Sequence, residues 1–156
     1  MFTLFSILST AAIGLSASIT RPPAMELIIF NEEATGTEIC SSAGALATNF
    51  SVALSTDTPA KGENVTTTFD FTLSEPVSDG TAYYSATLNG FGPYTSEAPL
   101  CDEVAKSGDP CPMAAGYNHQ ESVAASTVSG KLATTITWRT AAGTEILCTK
   151  ITTKTV

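Results

Sequence analysis

The feature that most limits the fold of this chain is an alternation of apolar and polar side chains with a period of two. In NVTTTFDFTL, Val65, Thr67, Phe69, Phe71 and Leu73 fall on one side of an extended backbone, and Thr66, Thr68, Asp70 and Thr72 fall on the other. KLATTITW repeats the pattern, with Leu132, Thr134, Ile136 and Trp138 separated by Ala133, Thr135 and Thr137. In ALATNFSVAL, Leu46, Phe50, Val52 and Leu54 share one parity, with Thr48 interrupting. EILCTKITTKT is rich in β-branched residues, and threonine makes up about one residue in six of the chain. Such side chains are stiff at χ1, suit pleated, half-solvated strands and disfavour helix. No long stretch carries a helical apolar stripe. Turn-forming residues separate the runs: Pro59 and Lys61-Gly62, Ser78-Asp79-Gly80, Asn89-Gly90, Ser107-Gly108-Asp109-Pro110, Ser129-Gly130 and Ala142-Gly143. Strands at this spacing predict an all-β fold, a β-sandwich.

Composition narrows the function. A chain of 156 residues is one domain by length, large enough for a real core. With 43% hydrophobic and 14% charged residues it falls outside the disordered acidic class. Fifteen acidic against seven basic side chains give a net charge of -8 and an isoelectric point near 4.4. Nucleic-acid binding needs clustered Lys and Arg to neutralise phosphates, so a nucleic-acid partner is excluded.

No charged residue precedes Arg21. The apolar run from Leu4 to Leu15, followed by the small residues Ser16, Ala17 and Ser18, reads residues 1–20 as a secretory signal peptide. A retained membrane anchor needs about 20 apolar residues, and Thr3, Ser6, Ser9, Thr10 and Gly14 dilute the run. Residues 21–39 form an N-terminal extension with a Pro pair and a short apolar run, Leu27 to Phe30. The sequence leaves this extension open between a linker, a pro-segment and an extra edge strand.

Secretion changes the meaning of Cys40, Cys101, Cys111 and Cys148. Their number is even and no two form a C-x-x-C pair, which points to disulfides and away from a zinc ribbon or thioredoxin-like site. Three pairings are possible and spacing does not choose among them. Asn49-Phe50-Ser51 and Asn64-Val65-Thr66 are glycosylation sequons in the same compartment.

The catalytic inventory is thin. His119, in GYNHQES, is the only histidine, so any Ser-His-Asp or Cys-His site must use it. G-x-S-x-G is absent, and the cysteines are assigned to disulfides. Asp70, Glu75, Glu97, Asp102 and Glu103 could supply a carboxylate pair, yet acidic residues on a soluble surface are the ordinary case. No metal-ligand cluster and no Gly-rich phosphate loop stands out. The chain is read as non-enzymatic, with no metal and no cofactor.

A more specific constellation lies in GFGPYTSEAPLCDEVAKSGDPCPMAAG, from Gly90 to Gly116, and in TTITWRTAAGTEILCTKITTK near the end. With Cys40, Lys61-Gly62, Pro93-Tyr94, Cys101, Cys111-Pro112-Met113, Gly116, Trp138, Gly143 and Cys148 in that order, residues 40–156 resemble the MD-2-related lipid-recognition family, or ML domain. That family includes Niemann-Pick type C2 sterol carriers, fungal phosphatidylglycerol/phosphatidylinositol transfer proteins and mite group 2 allergens. The resemblance implies an immunoglobulin-like β-sandwich of two antiparallel sheets with an apolar cavity between them. It also implies the pairs Cys40–Cys148 and Cys101–Cys111. Six-cysteine members have a further small-loop pair where this chain has Ser55-Thr56-Asp57-Thr58-Pro59. Asn64 falls where the sterol carriers have a sequon.

Periodicity alone is satisfied by a closed core; the resemblance is what opens the sandwich. The inward parity then gives the cavity lining as Val65, Phe69, Phe71, Leu73, Ile136 and Trp138, with Tyr94, Leu100 and Val123 nearer the mouth. Three positions that matter in the sterol carriers correspond to Tyr94, Ala125 and Ser129, the last two smaller than the family's Val and Tyr. Phe91, Pro93, Tyr94, Pro112 and Met113 are expected as an apolar lip touching the bilayer. Lys61, Lys106, Lys131 and Arg139 are scattered and form no cationic rim for an anionic headgroup. The implied function is binding and transfer of a sterol or similar weakly charged lipid, in a secreted or endolysosomal lumen. Transient membrane contact and a membrane-protein acceptor are the expected partners. The alternatives are phospholipid transfer and a non-lipid adhesion or allergen-like domain.

Overall fold

The computed structural model describes residues 34–156; the leader at 1–20 and most of the extension at 21–39 lie outside them. Strands β1 (Gly36–Ile39), β2 (Ala47–Leu54), β3 (Asn64–Leu73), β4 (Gly80–Leu88) and β5 (Phe91–Pro99) come first. A short helix α1 (Leu100–Lys106) follows, then β6 (Gly116–Ala125), β7 (Gly130–Thr140) and β8 (Glu145–Thr155). They form a five-stranded sheet in the order β1-β8-β7-β4-β5 and a three-stranded sheet in the order β2-β3-β6, all pairs antiparallel. This is the all-β sandwich that the alternation predicts.

Each alternating run becomes a strand with its apolar parity inward. Phe69, Phe71 and Leu73 of β3 and Trp138 of β7 are buried. The rings of Phe50, Phe69, Phe71 and Trp138 meet edge to face, with centroids between 5.7 and 6.4 Å apart, the arrangement favoured by ring quadrupoles. Full burial of a ring such as that of Phe71 stabilises the fold by about 1.5–3 kcal/mol. The interruption at Thr48 is a β-bulge: the register of β2 on β3 shifts between Thr48 and Ser51, with Asn49 at φ 51°. One extra residue there turns Ala47 inward on one side of the bulge and Val52 inward, opposite Phe69, on the other. Asn89-Gly90 joins β4 to β5 with positive φ at both residues, 51° and 81°, the backbone that tight hairpins require.

The extension resolves in its last residues. Gly36–Ile39 pairs antiparallel with Thr149–Thr152 as an edge strand, so the sheet begins ahead of Cys40. Cys40 is bridged to Cys148, and Cys101 on α1 to Cys111. Asn49 and Asn64 are both exposed.

One edge of the sandwich is sewn shut. β1 lies alongside β2, the Thr37 hydroxyl donates to the Val52 carbonyl at 3.2 Å, and the Thr35 hydroxyl donates to Asp57 at 2.6 Å. At the other edge stand β5 and β6.

Candidate functional site

The strand register explains why the second edge stays open. Across the inner face of the five-stranded sheet run the rows Ala98–Ala82–Trp138–Leu147 and Ser96–Tyr84–Ile136–Thr149. Across the smaller sheet run Val52–Phe69–Gln120 and Leu54–Thr67–Ser122, and Ala124 lies opposite Val65. Large apolar groups fill the middle of both sheets, but where β5 and β6 border the gap the inward residues include Ala98, Ser96, Gln120, Ser122 and Ala124. These side chains are too short or too polar to close the gap.

Two cavities result. The larger, about 400 Å³, is walled by Thr67, Phe69, Tyr84, Ser96, Ala98, Glu103, Lys106, Gln120, Ser122, Ile136 and Trp138, among others. The smaller, about 260 Å³, is more apolar, with Leu54, Val65, Ala124, Ala125, Val128, Leu132, Ile136 and Ile151 in its wall. Thr67, Tyr84 and Ile136 belong to both walls, so the cavities adjoin between the sheets.

The expected lining divides. Phe69 and Trp138 line the larger cavity, Val65 the smaller, and Ile136 both. Phe71, Leu73 and Leu100 lie in neither wall; at 0%, 2% and 1% exposure they form the solid core. Their parity is as expected, but at that end the space is filled. Leu100 is covered because it opens α1, where Leu100 and Val104, four residues apart, share one buried face. Val123 is corrected outright: it pairs with Thr66 on the outer face, and an inward position on β6 needs the opposite parity. Tyr94 sits beside Ala86 on the inward row of an edge strand, yet is 64% exposed and in neither wall. Ala125 lines the smaller cavity and Ser129 does not.

The expected lip also divides. Phe91 and Tyr94 are exposed near the β4–β5 turn. Met113 is buried and paired with Val77 at the other end of β4, so Pro112 and Met113 cannot join them.

Polar chemistry collects at the larger cavity. The Tyr84 hydroxyl donates to Glu103 Oε2 at 2.7 Å, and Lys106 Nζ donates to Glu103 Oε1. Burial, then the bond to the Glu103 carboxylate, pushes the Tyr84 phenol well up. Burial alone would raise Glu103, but the hydrogen bonds from Lys106 and Tyr84 outweigh it and hold the carboxyl below its usual range. Glu103 is therefore ionised at neutral pH. Two further wall groups, Gln120 Oε1 and Trp138 Nε1, are buried with no hydrogen-bond partner among the described residues.

His119 faces the other way. Its Nδ1 lies 2.8 Å from Asp70 Oδ1 on the outer face of the smaller sheet, where Tyr117 donates to the same oxygen. The hydrogen bond to Asp70 raises His119, and the bonds from Tyr117 and then His119 lower Asp70. Among the described residues no His, Cys, Asp and Glu cluster could hold a metal, and no helix is long and apolar enough to cross a membrane.

Alternation did not reveal Tyr84, Gln120 or Ser122. Tyr84 has a signal, since Ala82, Tyr84, Ala86 and Leu88 share one parity in GTAYYSATL. Gln120 and Ser122 have none, being polar residues at inward positions.

The fold resembles two solved structures. A Niemann-Pick type C2 protein from Japanese carpenter ant is 19% identical, with a TM-score of 0.54 over 76% of this chain and 98% of that one. Chicken MD-1 complexed with lipid IVa is 12% identical, with a TM-score of 0.55 over 76% of this chain and 87% of that one. No curated protein matches the sequence. The family model for the ML domain matches residues 34–155, from just ahead of β1 to the end of β8. The chain belongs to the ML-domain family.

Proposed function

We propose that this protein binds a sterol or a similarly weakly charged lipid and transfers it, without catalysis, between membranes or to a partner protein in a secreted or endolysosomal lumen. The observation that carries the reading is the pair of adjoining cavities between the sheets, walled by Leu54, Val65, Phe69, Leu132, Ile136 and Ile151. Burial of a few hundred Å² of lipid there recovers about 25 cal/mol per Å² before association costs. The chicken structure, solved with lipid IVa, supports a lipid as the occupant of such a fold. A phosphate headgroup would want a cation. Of the described residues in the two walls only Lys106 carries one, and Glu103 already engages it. This favours a sterol over a phospholipid.

Protein purified under native conditions is expected to yield a bound neutral lipid on organic extraction, identified by mass spectrometry. Ser122→Trp, at an exposed edge-strand position in the wall of the larger cavity, fills that cavity from its open edge and leaves the four residues of the ring cluster unchanged. It should cut uptake at least tenfold while leaving the unfolding midpoint nearly in place. Lipid-free wild-type protein that also fails to take up added sterol overturns the reading.

Membrane contact is assigned to the β4–β5 hairpin, where Phe91 is 73% exposed, with Val128 in the wall of the smaller cavity. At a net charge of -8 the protein is repelled by anionic leaflets, and the repulsion fades towards its isoelectric point near 4.4. Transfer to anionic vesicles should rise as pH falls from about 7.5 to 5. A flat profile removes electrostatics from the mechanism.

A further inference from the structure

We propose that the larger cavity selects its lipid by a hydroxyl group, held between the indole N–H of Trp138 and the side-chain carbonyl of Gln120. The inference rests on the lipid-carrier reading and names the chemistry the carrier recognises. Trp138 and Gln120 are 4% and 5% exposed, and both belong to the wall of this cavity. Gln120 lies directly across from Phe69 on the neighbouring strand, and the Phe69 ring stands 5.7 Å from that of Trp138. The two residues therefore flank one aromatic side chain from opposite sheets.

Neither Trp138 Nε1 nor Gln120 Oε1 has a partner among the described residues. Buried polar groups are almost always paired, so two orphans in one cavity wall call for a partner inside it. Their chemistry is complementary: the indole nitrogen only donates, and the amide oxygen only accepts. A hydroxyl answers both through one atom, accepting from Trp138 and donating to Gln120. A carboxylate has no proton for Gln120 and would meet the ionised Glu103 in the same wall. An ammonium cannot accept from Trp138. A bare hydrocarbon or ester leaves the Gln120 oxygen unpaired. A sterol and a long-chain alcohol present the same group, so the proposal names the hydroxyl and the experiment separates the sources.

Two matched series test it: cholesterol, its 3-methyl ether and cholestane, and decan-1-ol, 1-methoxydecane and decane. Binding is read by partition of labelled probe between cyclodextrin and protein, and by the emission of Trp138, the chain's only tryptophan. In whichever series binds, the alcohol should exceed the ether by about five- to tenfold, and the ether should exceed the hydrocarbon several-fold. The ether keeps the bond from Trp138 but cannot donate to Gln120, so Gln120→Leu should bring the alcohol-to-ether ratio to about one. Trp138→Phe should bring the ether-to-hydrocarbon ratio to about one. If that variant fails to fold, the Gln120→Leu ratio decides alone. Discrimination in the sterol series alone names a sterol, and in the chain series alone a fatty alcohol. Equal binding of alcohol, ether and hydrocarbon overturns hydroxyl recognition and leaves the carrier reading standing. Binding of no probe in either series overturns both.

Discussion

A Cys40→Ser, Cys148→Ser double variant is expected to lose about 4–5 kcal/mol of stability, the largest loss available from removing a cross-link in this chain. The bridge joins residues 108 apart, and the loop it closes contains most of the sandwich. In the chain-entropy account the benefit grows with the logarithm of loop length. Cys101–Cys111, with a separation of 10, should contribute only about 2.5–3 kcal/mol by the same argument. The long bridge also holds a particular joint. Cys40 follows the edge strand β1, its N–H donates to the Cys148 carbonyl at 3.0 Å, and Ser41 bonds Cys148 from the neighbouring position. Small domains are stable by only about 5–15 kcal/mol in total. Guanidinium titrations of the two double variants test the ordering. A greater loss from the short loop than from the long one would contradict the loop-closure account and place the stabilisation in local geometry around α1.

The fold was legible because the side chains that bury the most apolar surface recur with a period of two. β3 and β7 show their inner faces directly, and even the defect in β2 was visible as Thr48 breaking the parity. α1 was hidden by its length: seven residues give one buried pair, Leu100 and Val104, and too little periodicity to register. Its acidic first turn at Asp102 and Glu103 and its closing Lys106 suit a helix dipole, but such charges also occur in loops. The cavities were less legible for a different reason. They arise from what is small, and Ala98, Ser96, Ser122 and Ala124 come together only when β5 and β6 take up edge positions in different sheets. Alternation also marks polar residues as outward. Gln120, polar and inward, is invisible to it, while Val123, apolar and outward, misleads it. A family resemblance supplied the open sandwich, and the register shows which residues open it.

Phe71→Ala should cost about 3–5 kcal/mol while changing lipid affinity by less than about twofold. Phe71 shares its strand and parity with Phe69, two residues away, yet the two have different work. Phe71 is fully buried, edge-on to Phe50 at 6.4 Å and to Trp138 at 6.1 Å, and borders neither cavity. Its removal leaves a void among rigid rings that cannot collapse, which is where truncation is most costly. Phe69 carries a similar packing load and also faces the larger cavity, so Phe69→Ala should lower stability and affinity together. Urea midpoints and lipid stoichiometry, measured on the same samples below the transition, separate the two effects. Loss of lipid from Phe71→Ala without a shift in midpoint would mean that the ligand reaches the centre of the ring cluster and that the filled end of the sandwich opens to admit it.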